Sequence, residues 1–122
     1  MAAHGLNREE KKAIHAEFSH LVNIPAARLR NWRDSEDSRS VGMTQDGEKV
    51  TDSSQAESVG HHMGGRILQL RGSKQSELSD QDFADMRKVV GYIHRQSAQR
   101  PKGDITDSRW RKSLMNWDHD PK

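Results

Sequence analysis

Residues 79–117 read SDQDFADMRKVVGYIHRQSAQRPKGDITDSRWRKSLMNW and predict two helices joined by a polar turn. The first helix has an apolar stripe that repeats at the spacing of one helical face: Phe83, Met86, Val89, Val90 and Ile93. Ser79 is a residue type that caps helix N-termini, and Pro101 disfavours helical geometry in the residue before it. We therefore expect one helix over residues 80–98, with its apolar stripe in the core.

The second helix of this stretch has a heavy aromatic stripe at the i, i+4, i+7 spacing of one face: Trp110, Leu114 and Trp117. Such a stripe predicts that the helix locks the end of the chain onto the core. Thr106 or Asp107 can cap this helix, which we place over residues 107–117. Residues 118–122 are predicted to be a frayed tail.

Two further helices are predicted near the start of the chain. Asn7 can cap the first, and Glu10 lies where the partner in a capping box belongs, so we place this helix over residues 7–22. Pro25 suits a first helical turn and begins a second helix, residues 25–33. Because the second helix is basic and follows a tight junction, the pair is either a packing unit with a solvated arginine face or a helix-turn-helix that reads a groove.

The middle of the chain is rich in small and polar residues. Residues 34–54 contain few large apolar side chains and predict a flexible polar loop. Residues 55–71 predict a helix with an apolar face, although each interior glycine costs about 1 kcal/mol relative to alanine. Gly60 and Gly64, four residues apart, either form a groove in which another helix packs, from this chain or a partner, or break the helix so that bare amides face an anion. Gly91 makes a similar small gap in the next helix.

These elements predict an all-α fold, a small single-domain helical bundle of about five helices with a long polar loop between the second and third. One domain suits a chain of 122 residues. The chain has no cysteine, which excludes disulfides, thiolate metal sites and cysteine nucleophiles. It has no signal-peptide pattern and no run that approaches a membrane span. We therefore expect a soluble cytoplasmic protein, associated with a nucleoid or nucleus if it binds DNA.

Positive charge is concentrated in one part of the chain. The net charge is only +2, yet residues 87–112 hold eight lysines and arginines against two aspartates, a local charge of +6 that leaves −4 for the rest. A chain polarised in this way indicates an anionic partner, such as DNA or another polyanion. The candidate phosphate contacts are Arg87, Lys88, Arg95, Arg100, Lys102, Arg109, Arg111 and Lys112.

The sequence contains no motif that predicts catalysis. A glycine-rich phosphate loop, a nucleophile elbow and a metalloprotease motif are all missing. The seven histidines lack metal-ligand spacing, so a metal site would need the fold to bring His61, His62 and His94 together. We therefore expect a protein without catalytic residues, cofactor or metal, and a His–Asp pair formed in three dimensions is the remaining catalytic alternative.

Several blocks of the chain resemble the uncharacterised family called domain of unknown function 3140. The blocks are LRNW, SRSVG, ESVGHHMGGRI, DMRKVVGYIHRQSAQRP and SLMNWDHDP. The resemblance spans residues 18–121 and implies a small, cysteine-free helical protein. Some family members carry the label DNA-binding protein, so the resemblance also implies a connection with DNA.

Two hypotheses for function follow from these patterns. In the first, the basic helical face binds nucleic acid through phosphate contacts that are independent of sequence and sensitive to salt. In the second, the chain is a protein-interaction or self-associating helical module that uses the Gly60/Gly64 groove and the Gly91 gap. Neither hypothesis involves a membrane.

Overall fold

A computed structural model describes residues 7–52 and 54–121, so Ser53 of the predicted loop and Lys122 of the predicted tail lie outside the described residues. The helices are α1 (Arg8–Leu21), α2 (Ala26–Arg33), α3 (Glu36–Arg39), α4 (Val59–Gly72), α5 (Asp80–Ser97) and α6 (Arg109–Asn116), with a 3₁₀ helix at Gln75–Glu77. The small, mostly helical fold is confirmed, with six α-helices among the described residues instead of about five. None of these helices has both the length and the hydropathy needed to cross a bilayer.

Capping side chains explain where the helices begin. The Asn7 side chain accepts a hydrogen bond from the Glu10 amide at 2.8 Å, and the Glu10 carboxylate accepts one from the Asn7 amide at 3.3 Å. Ser79 and Asp82 form the same reciprocal capping box at the start of α5. Each box satisfies backbone donors that a helix start otherwise leaves unpaired. The bounds of α1 and α5 accordingly agree with the predicted ones to within one residue, and so do those of α2, which begins after Pro25 without a side-chain cap.

Two helices begin later than predicted. The helix predicted over residues 55–71 corresponds to α4, which begins four residues later, at Val59. The helix predicted over residues 107–117 corresponds to α6, which begins two residues later, at Arg109. Ser58 and Ser108 cap these helices, and each hydroxyl oxygen accepts a hydrogen bond from the amide three residues on, at 3.0 and 3.1 Å. Serine is among the strongest N-cap residues, so it sets the start in preference to the polar residues before it.

The main core lies between α1, α4, α5 and α6. All five apolar residues of the predicted α5 stripe are buried, which confirms that part of the prediction. Phe18 of α1, Ile67 of α4 and Leu114 of α6 pack with them, and α1 makes its most extensive contact with α5. Burial of each large apolar side chain contributes roughly 1.5–3 kcal/mol, so these few side chains carry most of the favourable burial energy.

A buried amide joins the other helices to α6. The Asn116 side chain is 1% exposed and accepts hydrogen bonds from Trp32 Nε1, at 2.9 Å, and from the Ser38 hydroxyl. Its Nδ2 donates to the Ser38 carbonyl oxygen at 2.9 Å. α2, α3 and α6 therefore meet at one residue. A second apolar cluster lies in this half of the fold: Ile24, Leu29 and Met115.

Residues 34–54 are more structured than the predicted polar loop. They include helix α3 and an isolated antiparallel bridge between Met43 and Lys49. Val41 and Val50 flank that bridge and are 1% and 0% exposed. The prediction of a loop without regular structure is wrong here because the turn folds both valines back against the protein. Two apolar residues nine positions apart gave no helical or strand period to recognise.

The chain after α6 is docked, and the prediction of a frayed tail is wrong for its described part. Asp118 adopts a left-handed conformation with φ 62° and is 0% exposed. Its Oδ1 accepts a hydrogen bond from the Ile24 amide at 3.0 Å, and its Oδ2 accepts one from Arg71 Nη1 at 2.7 Å. Asp120 binds the Arg111 guanidinium through two hydrogen bonds of 2.9 Å each. Polar contacts hold this segment, so apolar periodicity could not predict its position.

Gly60 and Gly64 of α4 pack against the end of α6. A Cβ atom at Gly60 would lie 2.8 Å from Trp117 Nε1, and one at Gly64 would lie 2.7 Å from the carbonyl oxygen of Asn116. The Cδ of Arg33 would be 3.0 Å from the same Gly64 Cβ. The glycine groove is therefore filled from within the chain. It is a helix-packing contact, as one of the two interpretations predicted, and has no room for a partner helix.

Replacing Gly64 with alanine should destabilise the protein, because the new methyl group meets a backbone atom that cannot rotate away. We expect Gly64→Ala to lower the free energy of unfolding by about 1–3 kcal/mol, the usual range for overpacking. Gly72→Ala is the matched control, since a Cβ there meets nothing within 4 Å; it should be neutral or stabilise by about 0.5–1 kcal/mol. Urea unfolding followed by circular dichroism measures both. Equal effects of the two substitutions would contradict the close α4–α6 contact.

Asp118 should make stability fall as pH rises. Burial raises the pKa of Asp118 from 3.8 to about 6, although the Arg71 guanidinium opposes the shift. Between these two pH values the folded protein keeps the proton that the unfolded chain has lost, so the stabilisation present below about pH 4 disappears by about pH 6. Urea unfolding across this range should show wild type losing stability relative to Asp118→Asn. Wild type that gains stability relative to Asp118→Asn as the pH rises from about 4 to about 6 would contradict the assignment.

Candidate nucleic-acid interface

Four of the eight predicted phosphate contacts are held by internal contacts. Their partners are the Trp110 ring for Arg100, the Val50 carbonyl for Arg109, Asp120 for Arg111 and Asp37 for Lys112. The hydrogen bond that Arg111 donates to Asp120 raises the pKa of Arg111, which is a further sign of a tight pair. Arg100 and Arg109 contact uncharged groups and keep their charge, whereas Arg111 and Lys112 pair with carboxylates, a distinction that sequence charge alone could not make.

The other four predicted cations have no such contacts. Arg87, Lys88, Arg95 and Lys102 are exposed, and none forms an ion pair or a hydrogen bond with another side chain in the described part of the protein. The first three lie on the outer face of α5, and Lys102 follows in the turn after that helix. Gly91 lies among them, and outside its own helix backbone a Cβ there would meet only Arg95 Nη1, at 3.3 Å. The predicted gap in the basic face is therefore covered by the Arg95 guanidinium alone.

A cleft of about 800 Å³ opens between α5, α6 and the turn that contains the Met43–Lys49 bridge. Four cations line it: Lys49, Lys88, Arg95 and Arg109. Three aromatic rings also line it: Tyr92, Trp110 and Trp117. Of the residues that the structure describes, no aspartate or glutamate lines the cleft. An anion that enters this cleft would meet cations without a competing carboxylate. We call this space the aromatic cleft.

Contacts within the fold fix the aromatic rings of this cleft. The Tyr92 and Trp117 rings are stacked, with centroids 4.1 Å apart and an angle of 14° between the planes. Trp110 Nε1 donates a hydrogen bond to the Gln96 carbonyl oxygen at 2.7 Å. Burial raises the pKa of the Tyr92 phenol, and the charge of Arg95 opposes that shift. The ring positions are therefore set before any ligand binds.

Lys49 and Met43 belong to the aromatic cleft but were not predicted as site residues. Both lie in the turn that was expected to be part of a loop, and the Met43 side chain is 54% exposed. The signal in the sequence is the pair Asp46-Gly47, a common hairpin turn, and Gly47 has the left-handed φ of 85° that such turns require. Recognising this turn would have predicted that Lys49 approaches the rest of the protein.

A second basic cleft, of about 710 Å³, lies beside α1. Arg8, Lys11 and Lys12 line it, together with residues of the 3₁₀ helix and Phe83. Lys11 Nζ is 3.1 Å from Asp80 Oδ1 and 5.6 Å from the centroid of the Phe83 ring. Part of its positive charge is therefore compensated, which makes this surface the weaker candidate for anion binding.

Two of the three arginines of the basic helix α2 form contacts with other parts of the chain. Arg28 Nη2 lies 3.1 Å from Asp120 Oδ2, and Arg33 Nε donates to the His61 carbonyl oxygen at 3.1 Å. Arg30 is exposed. Trp32 points its indole nitrogen at the buried Asn116 amide. These contacts favour the packing interpretation of α1 and α2 over groove reading.

The histidines do not converge on one site. His61 is buried, with Nδ1 against the Glu57 carboxylate and Nε2 2.8 Å from the Arg33 carbonyl oxygen. His94 instead pairs with Glu17, at 3.0 Å. In the described part of the chain, no three His, Asp or Glu side chains are arranged to hold a metal ion.

A family model described as "Protein of unknown function (DUF3140)" matches residues 17–115. The chain belongs to the DUF3140 family. No curated protein and no solved structure matches this DUF3140 protein. The matched range includes α2 to α5 and most of α6, so it contains both helical walls of the aromatic cleft. The family description assigns no function to these residues.

Proposed function

We propose that this DUF3140 protein binds nucleic acid, DNA in particular, through phosphate contacts that do not depend on sequence. Arg87, Lys88, Arg95 and Lys102 are the proposed contacts. The proposed activity is binding without catalysis, and it needs neither a metal nor a cofactor. The observation that carries the proposal is the set of exposed, unpaired cations on and after α5, beside a cleft that no described carboxylate lines.

The acidic residues of α5 are paired with cations of other helices near the N-terminal end of α5. Arg66 Nη2 lies 2.5 Å from Asp82, and Arg66 Nε lies 2.9 Å from Asp85. Lys11 pairs with Asp80. Lys88 and Arg95, farther along the helix, have no such partner among the described residues and keep their charge.

The gap at Gly91 supports contact with a phosphate backbone. A long side chain at this position would stand between the cations and hold a polyanion away from the helix. Because Gly91 has no side chain, the Arg95 guanidinium lies close over the α5 backbone, and a phosphate that it binds can approach the helix closely. Contacts of this kind position a nucleic acid but carry no base information, so we expect little sequence preference.

Charge reversal on α5 should weaken DNA binding and its dependence on salt. We expect Arg87→Glu/Arg95→Glu to reduce affinity for a duplex by about tenfold or more at low salt, since each lost phosphate contact lowers the slope of log K against log salt by about 0.9. Arg30→Glu/Arg28→Gln, on α2, is the matched control with the same number of substitutions and should bind with a nearly wild-type slope. Fluorescence anisotropy at several salt concentrations measures both.

Two results would contradict the proposal. One is the absence of duplex or single-strand binding by the wild-type protein at low salt. The other is the same loss of affinity per unit of charge in the α5 variant, which changes the net charge by −4, and in the α2 variant, which changes it by −3, because a surface without a preferred binding face would respond only to total charge. Circular dichroism of each variant confirms that the helices are intact before the affinities are compared.

A further inference from the structure

We infer that the aromatic cleft binds one nucleotide unit, with its phosphate at Lys88 and Arg95 and its planar base against the aromatic wall. The ligand class is a nucleoside monophosphate, either as a free nucleotide or as an unpaired nucleotide of a single strand. The two sources share one chemistry, an anionic group attached to a flat ring. The single-strand case rests on the proposed function, which it refines by naming the form of nucleic acid bound.

The charge of the cleft fits a single phosphate. Lys88 and Arg95 are seven residues apart on α5, two helical turns, and both line the cleft. Arg109 faces them from α6, and its guanidinium is held in place by the Val50 carbonyl oxygen, 2.6 Å from Nη2. Charge-assisted hydrogen bonds to phosphate are about twice as strong as neutral ones, so cations on two walls favour an anion between them.

The aromatic wall requires a ligand with more than an anionic group. Tyr92 and Trp110 are partly exposed and line the same space as the cations, and Met43 leaves an apolar side chain exposed at its edge. Trp117 is only 4% exposed and supports this wall by stacking on Tyr92. Inorganic phosphate would leave the apolar surface uncovered, whereas a nucleobase provides a flat ring that can cover it.

Polar side chains in the cleft suit the edge of a base without selecting one. Gln96, Gln99 and Ser113 line it. An amide both donates and accepts, and a hydroxyl does the same, so these groups can adapt to different bases. We therefore expect weak preference among the four nucleotides, in agreement with phosphate contacts that do not read sequence.

The size of the cleft separates one nucleotide from a duplex. A volume of about 800 Å³ lies within the range of roughly 300–1,000 Å³ typical of small-ligand sites. A base in a duplex is stacked and paired, and it can enter a pocket only after it has been unstacked, unpaired and extruded. The bases of a single strand are already unpaired, so they can enter the cleft without this extrusion step. The cleft should therefore favour single strands over duplex of the same length.

The test compares three small ligands by isothermal titration calorimetry at low salt: adenosine 5′-monophosphate, adenosine and inorganic phosphate. If both walls are used, the monophosphate should bind at least about tenfold more tightly than either part alone, which corresponds to about 1.4 kcal/mol. Equal affinity of the monophosphate and inorganic phosphate would overturn the inference, and so would the absence of monophosphate binding.

A matched pair of arginine variants locates the site. Arg95→Gln removes a cation that lines the cleft and should weaken monophosphate binding by about tenfold, the usual effect of one lost charged hydrogen bond. Arg30→Gln removes an exposed arginine of α2 that does not line the cleft and is not a proposed phosphate contact, and it should leave monophosphate affinity unchanged. Equal affinities in the two variants would overturn the assignment to the cleft.

A displacement experiment distinguishes the two sources of the nucleotide. If the unit belongs to a strand, a short oligothymidylate should displace the monophosphate, and a duplex of equal length should do so less well. Monophosphate binding that no strand displaces supports a site for free nucleotides and counts against the proposed function. Duplex binding by a protein that ignores the monophosphate overturns this inference and leaves the proposed function standing.

Discussion

The buried side chain of Asn116 is the interaction on which the arrangement of the helices depends. Its amide takes a hydrogen bond from Trp32 and exchanges two with Ser38, while its backbone oxygen packs against the bare backbone of Gly64. A buried amide that lost these partners would cost about 1–3 kcal/mol for each unsatisfied group. This cost specifies one position for the end of α6 and therefore places Trp117, the next residue, against Tyr92.

The position of α6 in turn creates the aromatic cleft and divides the cations into two kinds. Arg111 and Arg71 bind the carboxylates of Asp120 and Asp118, which dock the end of the chain, so their charge is compensated within the fold. Lys88 and Arg95 face a space with rings and no described carboxylate, so their charge remains available. A chain with a net charge of only +2 can thus present a locally cationic surface, because six of its twelve arginines form ion pairs elsewhere in the described structure.

Local sequence signals predicted the helices well, and long-range polar contacts escaped prediction. The α5 stripe and the Asn7 cap follow from periodicity and capping chemistry, which involve residues a few positions apart. The docking of Asp118 joins residues 94 positions apart through a backbone amide, and no spacing rule anticipates it. Only part of the cleft was predicted from the sequence. The charge count identified Lys88 and Arg95 as candidate phosphate contacts, whereas Lys49 lies in the cleft because of a turn in a segment that was expected to be a flexible loop.

The most direct test of this account is an NMR titration of the ¹⁵N-labelled protein with a short oligothymidylate. If a single strand binds in the aromatic cleft, the largest shifts should fall on the amides of residues 88–99 and 109–117 and on the indole N–H groups of Trp110 and Trp117. Shifts should be small around the second basic cleft at Arg8, Lys11 and Lys12. Shifts concentrated at that second cleft, or spread evenly over every exposed cation, would contradict it.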